Sequence, residues 1–292
     1  MFPDELEAAF KECPLLYLTY GLCEPHGPQN TLGLDSLKAH GIACRAARRH
    51  GGIVAPPDYW HVHELSGYAV WGQRTCGEVD RTWLTSVPPW VHFKNVCYHI
   101  RAADALGFHA IILITGHYGP NWEDLKTLAE LIQPFVGARI HGLPDSEANQ
   151  PGFDRDGRSS GDHAGKVETS LLWAVEPDCV DMSRMPENRD EGPHFAMGPT
   201  AAETDRKTGE RMVEDEIRWL GQKAKELLEE YDRAQSDQRL RTFEQVEKFW
   251  KQKMVPEIKN FKSMEPSWAI GEPVSEDSVW YPNSLIPNVP QA

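Results

Sequence analysis

The first half of the chain alternates between short apolar runs and longer segments with apolar residues at helical spacing. The apolar runs predict four buried strands, at 15–20, 53–55, 109–115 and 138–143. The helical spacing predicts helices over about 35–49, 91–106 and 122–132. The run at 109–115 is continuously apolar rather than alternating, as in a parallel strand covered on both faces. This order of strands and helices predicts βαβ units and an α/β protein with a mainly parallel sheet.

The second half of the chain is predicted to be mostly helical. Residues 144–162 are polar and rich in Gly, Asp and Ser, which indicates a long loop. Helices are predicted near 165–175, over about 210–231 and around 240–250, and prolines recur through the last segment. We expect one domain over 1–240, followed by a C-terminal helix and a Pro-rich extension over 241–292 that wraps a surface or a neighbouring subunit.

Composition and charge narrow the possible functions. The 292 residues include 30 Lys and Arg and 44 Asp and Glu, for a formal net charge of −14. An acidic chain without a basic run disfavours nucleic acid and anionic membranes as partners. No apolar stretch approaches the roughly 20 residues of a membrane span, and the N-terminus lacks the features of a secretory signal. We therefore expect a cytoplasmic protein. Its six cysteines are scattered, so a cysteine-based zinc site is not expected.

Acidic residues and histidines follow the predicted strands, where parallel sheets bind their ligands. Three come after the first strand, one after the strand at 109–115 and two after the polar loop: Glu24, His26, Asp35, His117, His163 and Glu168. In an extended segment residues two apart point the same way, so Glu24 and His26 are expected to face one site. Mixed carboxylate and imidazole ligands suit Zn²⁺ or Mn²⁺, and two such ions can share a bridging carboxylate. A metal site is predicted at this edge.

Three of these segments also resemble motifs of the creatininase (creatinine amidohydrolase) family. Residues 20–28, Tyr-Gly-Leu-Cys-Glu-Pro-His-Gly-Pro, resemble the opening motif Gly-Ser-x-Glu-Gln-His-Gly-Pro, and Asp35 fits the place of the aspartate that follows it. The strand before Gly116-His117 resembles one that ends in Asn-Gly-His-Gly-Gly-Asn. Residues 163–170, His-Ala-Gly-Lys-Val-Glu-Thr-Ser, resemble His-Ala-Gly-Glu-x-Glu-Thr-Ser. The motifs keep their order over residues 14–185, so the chain is identified as a member of this family.

The resemblance implies a fold, a site and an assembly. The implied fold is a three-layer α/β/α sandwich with a mainly parallel central sheet, often assembled as a homohexamer. The implied site holds two divalent metal ions, Zn or Mn. Carried over residue by residue, the metal ligands are Glu24, His26, Asp35, His117 and Glu168, with Asp35 bridging the ions and His163 acting as acid or base. One departure concerns the ligands. In creatininase itself, the segment after this strand is similar to Gly-His-Tyr-Glu-Asn, and its glutamate is a metal ligand. In this chain, Gly119 occupies the position of that glutamate.

The expected activity is hydrolysis by a metal-bound hydroxide. Three carboxylates and two divalent ions leave the site at about +1, which favours a bound hydroxide and stabilises a developing oxyanion. The expected partner is a small-molecule substrate: a cyclic amide, a formamide or a related carbonyl compound. The alternatives are the opening of a cyclic diketone or lactone of a polyol or sugar pathway, and a non-catalytic relative that binds a ligand.

Other residues are candidates for the wall of the pocket. His61 and His63 lie two apart in a predicted extended segment, so they line the pocket, form a further metal site or belong to a plain polar loop. The tryptophans, Trp60 among them, either stack on a flat substrate ring or pack in the core or an oligomer interface. Tyr118 directly follows a predicted ligand. The predicted substrate contacts are Tyr118, His61, His63 and Trp60.

The remaining features concern a lid and the assembly. The polar loop at 144–162 is either a mobile lid over the metals or an ordinary surface excursion. The Gly-x-Ser-x-Gly pattern at 157–161 has no preceding apolar strand, so a serine hydrolase elbow is not expected. The acidic charge, the many tryptophans and the Pro-rich tail favour a homo-oligomer with the tail at an interface.

Overall fold

The computed structural model describes residues 1–63, 65, 67–119, 121–152, 163–188, 193–233, 240–264, 274–286 and 288–291. Its strands are β1 Leu15–Tyr20, β2 Ile53–Val54, β3 Ala110–Thr115 and β4 Arg139–Pro144. Its α-helices are α1 Pro3–Glu12, α2 Leu34–His50, α3 Gly67–Cys76, α4 Pro89–Leu106, α5 Asn121–Ile132, α6 Lys166–Val175, α7 Arg206–Arg233, α8 Phe243–Phe249, α9 Val255–Ile258 and α10 Tyr281–Ser284. A π-helical segment, Trp250–Met254, joins α8 to α9.

The four strands pair in parallel in one sheet, in the order β2-β1-β3-β4. The central pair is in register from Leu15 beside Ala110 to Tyr20 beside Thr115, so β1 and β3 end side by side. The strand after β1 lies on one side of it and the next lies on the other. The crevice beyond the ends of β1 and β3 is therefore where a parallel sheet binds its ligand.

Helices cover both faces of this sheet. Leu16 and Leu18 of β1 belong to one apolar cluster, and Leu15 and Tyr17 belong to another, because successive strand residues point to opposite faces. The first cluster is completed by α4, α5, α8 and α9, and the second by α2, α6 and α7. The structure thus confirms the predicted three-layer α/β/α sandwich with a parallel central sheet.

Two glycines bring the first turn of α2 against the edge of the sheet. A Cβ atom on Gly21, directly after β1, would lie 2.7 Å from the Cβ of Asp35. A Cβ atom on Gly116, directly after β3, would overlap the carbonyl oxygen of the same aspartate. A residue with a side chain would clash at either position, so glycine lets the backbones approach this closely. The contact places Asp35 in the crevice between β1 and β3.

Four described helices, α1, α3 and the short α9 and α10, are missing from the sequence-based prediction. α1 buries none of its residues, and α3 includes two glycines and lacks the regular apolar stripe from which the other helices are recognised. The tail stabilises α3 instead. Trp280 is buried with Ala69 and Cys76 of this helix, and its Nε1–H donates to the carbonyl oxygen of Gly77 at 3.1 Å.

The chain beyond residue 240 contributes to the same core in its first part. Val246, Phe249 and Ile258 belong to the cluster that covers the first face of the sheet. The domain division at residue 240 and the place of the tail in an interface stay predictions. None of the described helices combines the length and the apolar composition that crossing a bilayer would demand.

Candidate active site

The predicted ligands meet at the carboxyl edge of the sheet. The loop after β1, the first turn of α2, the residues after β3 and the first turn of α6 supply Glu24, His26, Asp35, His117 and Glu168. All five residues are buried, none more than 4% exposed. The register of β1 and β3 explains the convergence, because it places the two loops that leave these strands beside each other.

Asp35 lies between two imidazoles. One carboxylate oxygen is 3.3 Å from Nε2 of His26, and the other is 3.3 Å from Nδ1 of His117. Nδ1 of His117 is also 2.9 Å from a carboxylate oxygen of Glu24. Glu168 approaches Nε2 of His26 at 3.7 Å from the far side. The structure thus brings all five predicted ligands into one cluster, with Asp35 at its centre, although their roles as ligands stay a prediction.

Several polar atoms of this cluster lack a hydrogen-bond partner despite complete burial. They are Oε2 of Glu24, Nε2 of His26, both carboxylate oxygens of Asp35 and Nε2 of His117. Nδ1 of His26 lies 3.0 Å from the backbone carbonyl oxygen of Glu24. A carbonyl only accepts, so Nδ1 carries a proton, and Nε2, which faces the carboxylates, is the nitrogen that binds either a second proton or a metal ion. Metal-binding histidines are usually oriented by such a hydrogen bond, and acceptors that face acceptors suit a cation between them. The residues present therefore fit divalent metal ions.

The electrostatics of the cluster support the same conclusion. Burial by itself would raise the pKa of Asp35, but the imidazoles of His26 and His117 lower it to about 2. Burial would likewise lower the pKa of His26, but the carboxylates of Asp35, Glu24 and Glu168 raise it to about 9. In the metal-free protein, protons on the imidazoles thus balance the carboxylate charge, which a bound cation would otherwise balance.

A buried lysine on α2 was not among the predicted site residues. The Lys38 side chain is 0% exposed, and its Nζ donates to the carbonyl oxygen of Gly116 and to Asp145 at 3.3 Å. It also lies 3.7 Å from Glu168. Burial would lower the pKa of Lys38, but these carboxylates raise it above its ordinary value. Lys38 therefore holds Glu168 in place. A charged residue one turn after Asp35 on the buried face of α2 is the sequence signal that could have identified it.

Tyr118 is anchored by the same group of residues. Its hydroxyl donates to Asp145 at 2.7 Å, and the Lys38 ammonium lies over its ring at 3.7 Å. Asp145 directly follows β4 and is fully buried. Asp145 was also not among the predicted site residues, because it falls at the start of the polar segment at 144–162. The lysine and Asp145 together form a neutral pair that supports Tyr118 and Glu168 from behind.

His163 lies in the turn before α6, as its spacing from Glu168 predicts. Its ring stacks on that of His26 with centroids 4.2 Å apart, and its Nε2 lies 2.9 Å from the carbonyl oxygen of Pro25. Nε2 therefore carries the proton and donates it to this carbonyl, which leaves Nδ1 as the acceptor. Burial and the neighbouring His26 lower the pKa of His163.

A tryptophan of α3 forms a wall of the site. The Trp71 ring lies 5.0 Å from that of His163 and 5.7 Å from that of His63. The sequence predicts Trp60 as a substrate contact, but this residue is 60% exposed. No motif distinguishes one tryptophan from the other, because the position of Trp71 depends on a helix that the sequence does not predict.

The other predicted substrate contacts take different positions. His63 is 6% exposed and its Nε2 lies 3.3 Å from Glu24, inside the cluster. His61 is fully buried behind it, with Nδ1 2.8 Å from the carbonyl oxygen of Val62 and its ring against that of His92 at 3.9 Å. Burial lowers the pKa of His61 to about 3. The substrate-binding roles of Tyr118, His61, His63 and Trp60 stay predictions.

The proposed lid lies mostly outside the described residues. Within the segment predicted as a loop, Pro144 ends β4 and Glu147–Gly152 form a 3-10 helix. Residues 153–162, which include the Gly-x-Ser-x-Gly pattern, are not among those described.

Comparisons with known proteins agree with the fold. A creatininase in a Mn form is 23% identical, covers 77% of this chain and 96% of its own, and superposes with a TM-score of 0.56. A creatininase variant of Zn–Zn type is 22% identical, with 77% and 95% covered and a TM-score of 0.56. A creatininase variant complexed with creatine is 22% identical, with 77% and 96% covered and the same TM-score. At sequence identities of 22–23%, the similarity to these structures supports the fold alone.

The sequence also matches a family as a whole. No curated protein matches the chain significantly. The creatininase family, described as creatinine amidohydrolase, matches residues 1–252, which is most of the chain and includes every residue of the cluster. The chain therefore belongs to the creatininase family of metal-dependent amidohydrolases.

Proposed function

We propose that this protein is a hydrolase that binds two divalent metal ions, Zn or Mn, and cleaves a small cyclic amide, a formamide or a related carbonyl substrate. The observation that carries the proposal is a set of buried atoms without hydrogen-bond partners: Oε2 of Glu24, both oxygens of Asp35 and Nε2 of His26, which faces Asp35 at 3.3 Å. Leaving such groups unsatisfied costs about 1–3 kcal/mol each, so the fold retains them for a reason other than its stability. Divalent ions that bind there supply Lewis-acid chemistry, which acidifies water and polarises a carbonyl group.

Asp35 is the proposed bridge between the ions. Its two oxygens face different imidazoles, His26 on one side and His117 on the other, at equal distances of 3.3 Å. Glu168 lies 3.7 Å from His26, whereas Glu24 lies 3.6 Å from His26 but only 2.9 Å from His117, which assigns Glu24 to the side of His117. The cluster thus divides into two halves that share one aspartate.

His163 is the proposed acid and base. It borders the cluster but is held by Pro25 rather than by a carboxylate, so its Nδ1 remains able to take a proton from water. When the carbonyl carbon forms its new bond to oxygen and the bond to the leaving group breaks, this proton passes to the leaving nitrogen or oxygen. Trp71 packs edge-on against His163 and borders the pocket on this side.

The substrate class rests on the family and on the character of the pocket. A relative of this fold has been solved with creatine, which is a small molecule. Imidazole and indole rings border the cluster here, and flat rings of this kind favour a small planar ligand. We further propose that the active form is a homo-oligomer, for which light scattering is the direct test.

The test is a metal analysis followed by a substrate screen. The purified protein is loaded with Zn²⁺ or Mn²⁺, passed over a desalting column and assayed for bound metal. It is then screened against cyclic amides, formamides, lactones and cyclic diketones. About two ions per chain and turnover of an amide or formamide support the proposal. Two ions with turnover of lactones or diketones alone would replace the substrate class, and a protein without bound metal or turnover would be a ligand-binding relative.

A further inference from the structure

The two carboxylate oxygens of Glu24 face different histidines. Oε1 lies 2.9 Å from Nδ1 of His117, whereas Oε2 lies 3.3 Å from Nε2 of His63. The rings of these two histidines are 4.8 Å apart between centroids. Glu24, His63 and His117 therefore form a compact group in which one ligand atom from each residue lies within 4.8 Å of the others.

The contact between His63 and Glu24 is not a good hydrogen bond. A charge-assisted bond between nitrogen and a carboxylate measures about 2.7–2.9 Å. The observed distance is 3.3 Å, and Oε2 of Glu24 has no hydrogen-bond partner. Two ligands of one tetrahedral ion, each with a bond of about 2.0–2.1 Å, lie roughly 3.3 Å apart. The separation thus matches two ligands of a shared ion better than a donor and its acceptor.

The geometry points to His63 as a metal ligand. This inference rests on the proposed function and deepens it, because it divides the site into two chemically different halves. One half consists of Glu24, His63 and His117, and the other consists of His26, Asp35 and Glu168; a third group, Glu24, His26 and His163, lies across the two. Oδ2 of Asp35 lies 3.3 Å from Nδ1 of His117, so the same aspartate also reaches the first half.

The two halves differ in ligand chemistry. With the bridging Asp35 counted in both, the half with His63 offers two imidazoles and two carboxylates, whereas the other offers one imidazole and two carboxylates. Imidazole suits zinc, and carboxylate suits manganese, although both metals accept mixed sites. A neutral imidazole also adds no negative charge, so His63 completes the first half without reducing the net positive charge of the loaded site. We therefore expect Zn²⁺ to bind first, and more tightly, to the half that contains His63.

The experiment compares metal binding in three proteins. Metal-free wild type, His63→Gln and Trp71→Phe are titrated with Zn²⁺ by calorimetry, and bound zinc is counted after desalting. Glutamine keeps a donor that can reach Glu24 but is a poor zinc ligand, so it separates coordination from hydrogen bonding. Trp71→Phe is the matched control, because it disturbs the packing of the His63 ring and leaves the imidazole in place.

The expected result is the selective loss of one ion. Wild type and Trp71→Phe hold about two zinc ions per chain, and His63→Gln holds about one, the lost ion being weakened at least about 100-fold. Adding imidazole to His63→Gly restores the second ion, since free imidazole can occupy the space of the lost ring.

Two outcomes would overturn the inference in distinguishable ways. If wild type binds two ions and His63→Gln binds two with unchanged affinity, His63 is not a ligand, and the proposed function stands without it. If wild type binds no zinc, the proposed function fails together with this inference. Should His63→Gln fold poorly by circular dichroism, His63→Gly with and without imidazole decides the same question.

Discussion

Two buried aspartates in the first turns of two helices show how differently one side chain can be used. Asp35 in α2 is 0% exposed, and Asp124 in α5 is 1% exposed. Both residues lie in the first turn of a helix, the end at which the helix dipole favours negative charge. Asp124 accepts hydrogen bonds from the backbone N–H groups of Lys262 and Ser263, each at 2.7 Å, and from the Ser263 hydroxyl. Asp35 has no hydrogen bond on either oxygen.

The carboxyl group with hydrogen bonds has the raised pKa, and the one without hydrogen bonds has the lowered pKa. Burial raises the pKa of Asp124 to about 6, because its partners are neutral groups that only partly offset the loss of water. The pKa of Asp35 is lowered to about 2, because imidazoles that can carry a proton surround it and outweigh burial. A satisfied carboxylate among neutral donors joins two parts of a fold. An unsatisfied one among imidazoles marks a place for cations.

The largest effect that this comparison predicts comes from Asp35→Ala. Removing the shared ligand should take bound metal from about two ions per chain to nearly none and abolish turnover. Glu24→Ala and Glu168→Ala should each remove mainly one ion. Mass spectrometry of desalted protein measures the metal, and Asp124→Ala serves as the control that keeps it. Full metal content in Asp35→Ala would show that Asp35 is no bridge.

The next effect is catalytic and separates His163 from the ligands. His163→Ala and His163→Asn should keep both ions but lower turnover by about 10²–10⁴-fold, the usual contribution of a positioned acid or base. Metal content and turnover are measured on the same preparation. Loss of metal together with activity would instead make His163 a ligand or the support of one, and near-normal turnover would remove it from the mechanism.

The third prediction concerns stability at the other aspartate. Asp124→Ala removes the acceptor of the hydrogen bond that the buried N–H group of Ser263 donates, and we expect a loss of about 2–4 kcal/mol in the free energy of unfolding. Asp124→Asn keeps one acceptor and should cost less. Urea unfolding measures both variants. The structural role of Asp124 would be contradicted if Asp124→Ala is as stable as wild type or if the folded variant loses its metal.

The smallest effect is a pH dependence that arises away from the metals. Glu216 of α7 is fully buried and accepts from the backbone N–H of Ala148, and burial, with Asp145 and Glu147 nearby, raises its pKa from 4.5 to about 8. The folded protein keeps this proton where the unfolded chain has released it. Its contribution to stability is therefore complete at low pH and is lost as the pH rises towards 8.

Glu216→Gln should remove this dependence. In metal-free protein, the midpoint of thermal unfolding of wild type should fall between pH 6 and pH 8.5 by roughly 2–6 °C more than that of the variant. Glu214→Gln, in the same helix but exposed and paired with Arg49, is the matched control and should follow wild type. Parallel curves for wild type and Glu216→Gln would show that the group does not titrate in this range.

The strands and most helices could be predicted because their signals are local. The run at 109–115 is apolar at every position as a consequence of burial on both faces, and β3 occupies Ala110–Thr115 within it. The helix expected over 35–49 is α2, Leu34–His50, whose buried face repeats at helical spacing. α3 escaped prediction because its place depends on Trp280, more than 200 residues away along the chain, as the bond from that indole to Gly77 illustrates.

The residues of the cluster could be predicted for a related reason. The ends of neighbouring parallel strands must meet at one edge, so the residue types that follow each strand specify a metal-binding chemistry before any distance is known. The contacts inside the cluster could not be predicted from the sequence. Loops and helices from distant parts of the chain must pack together before Trp71 forms the wall and Lys38 supports Glu168. His63 shows this most clearly, because its spacing is equally compatible with a loop, a pocket and a ligand. Side-chain direction outside regular structure has no sequence period, so only the folded chain places its Nε2 3.3 Å from Glu24.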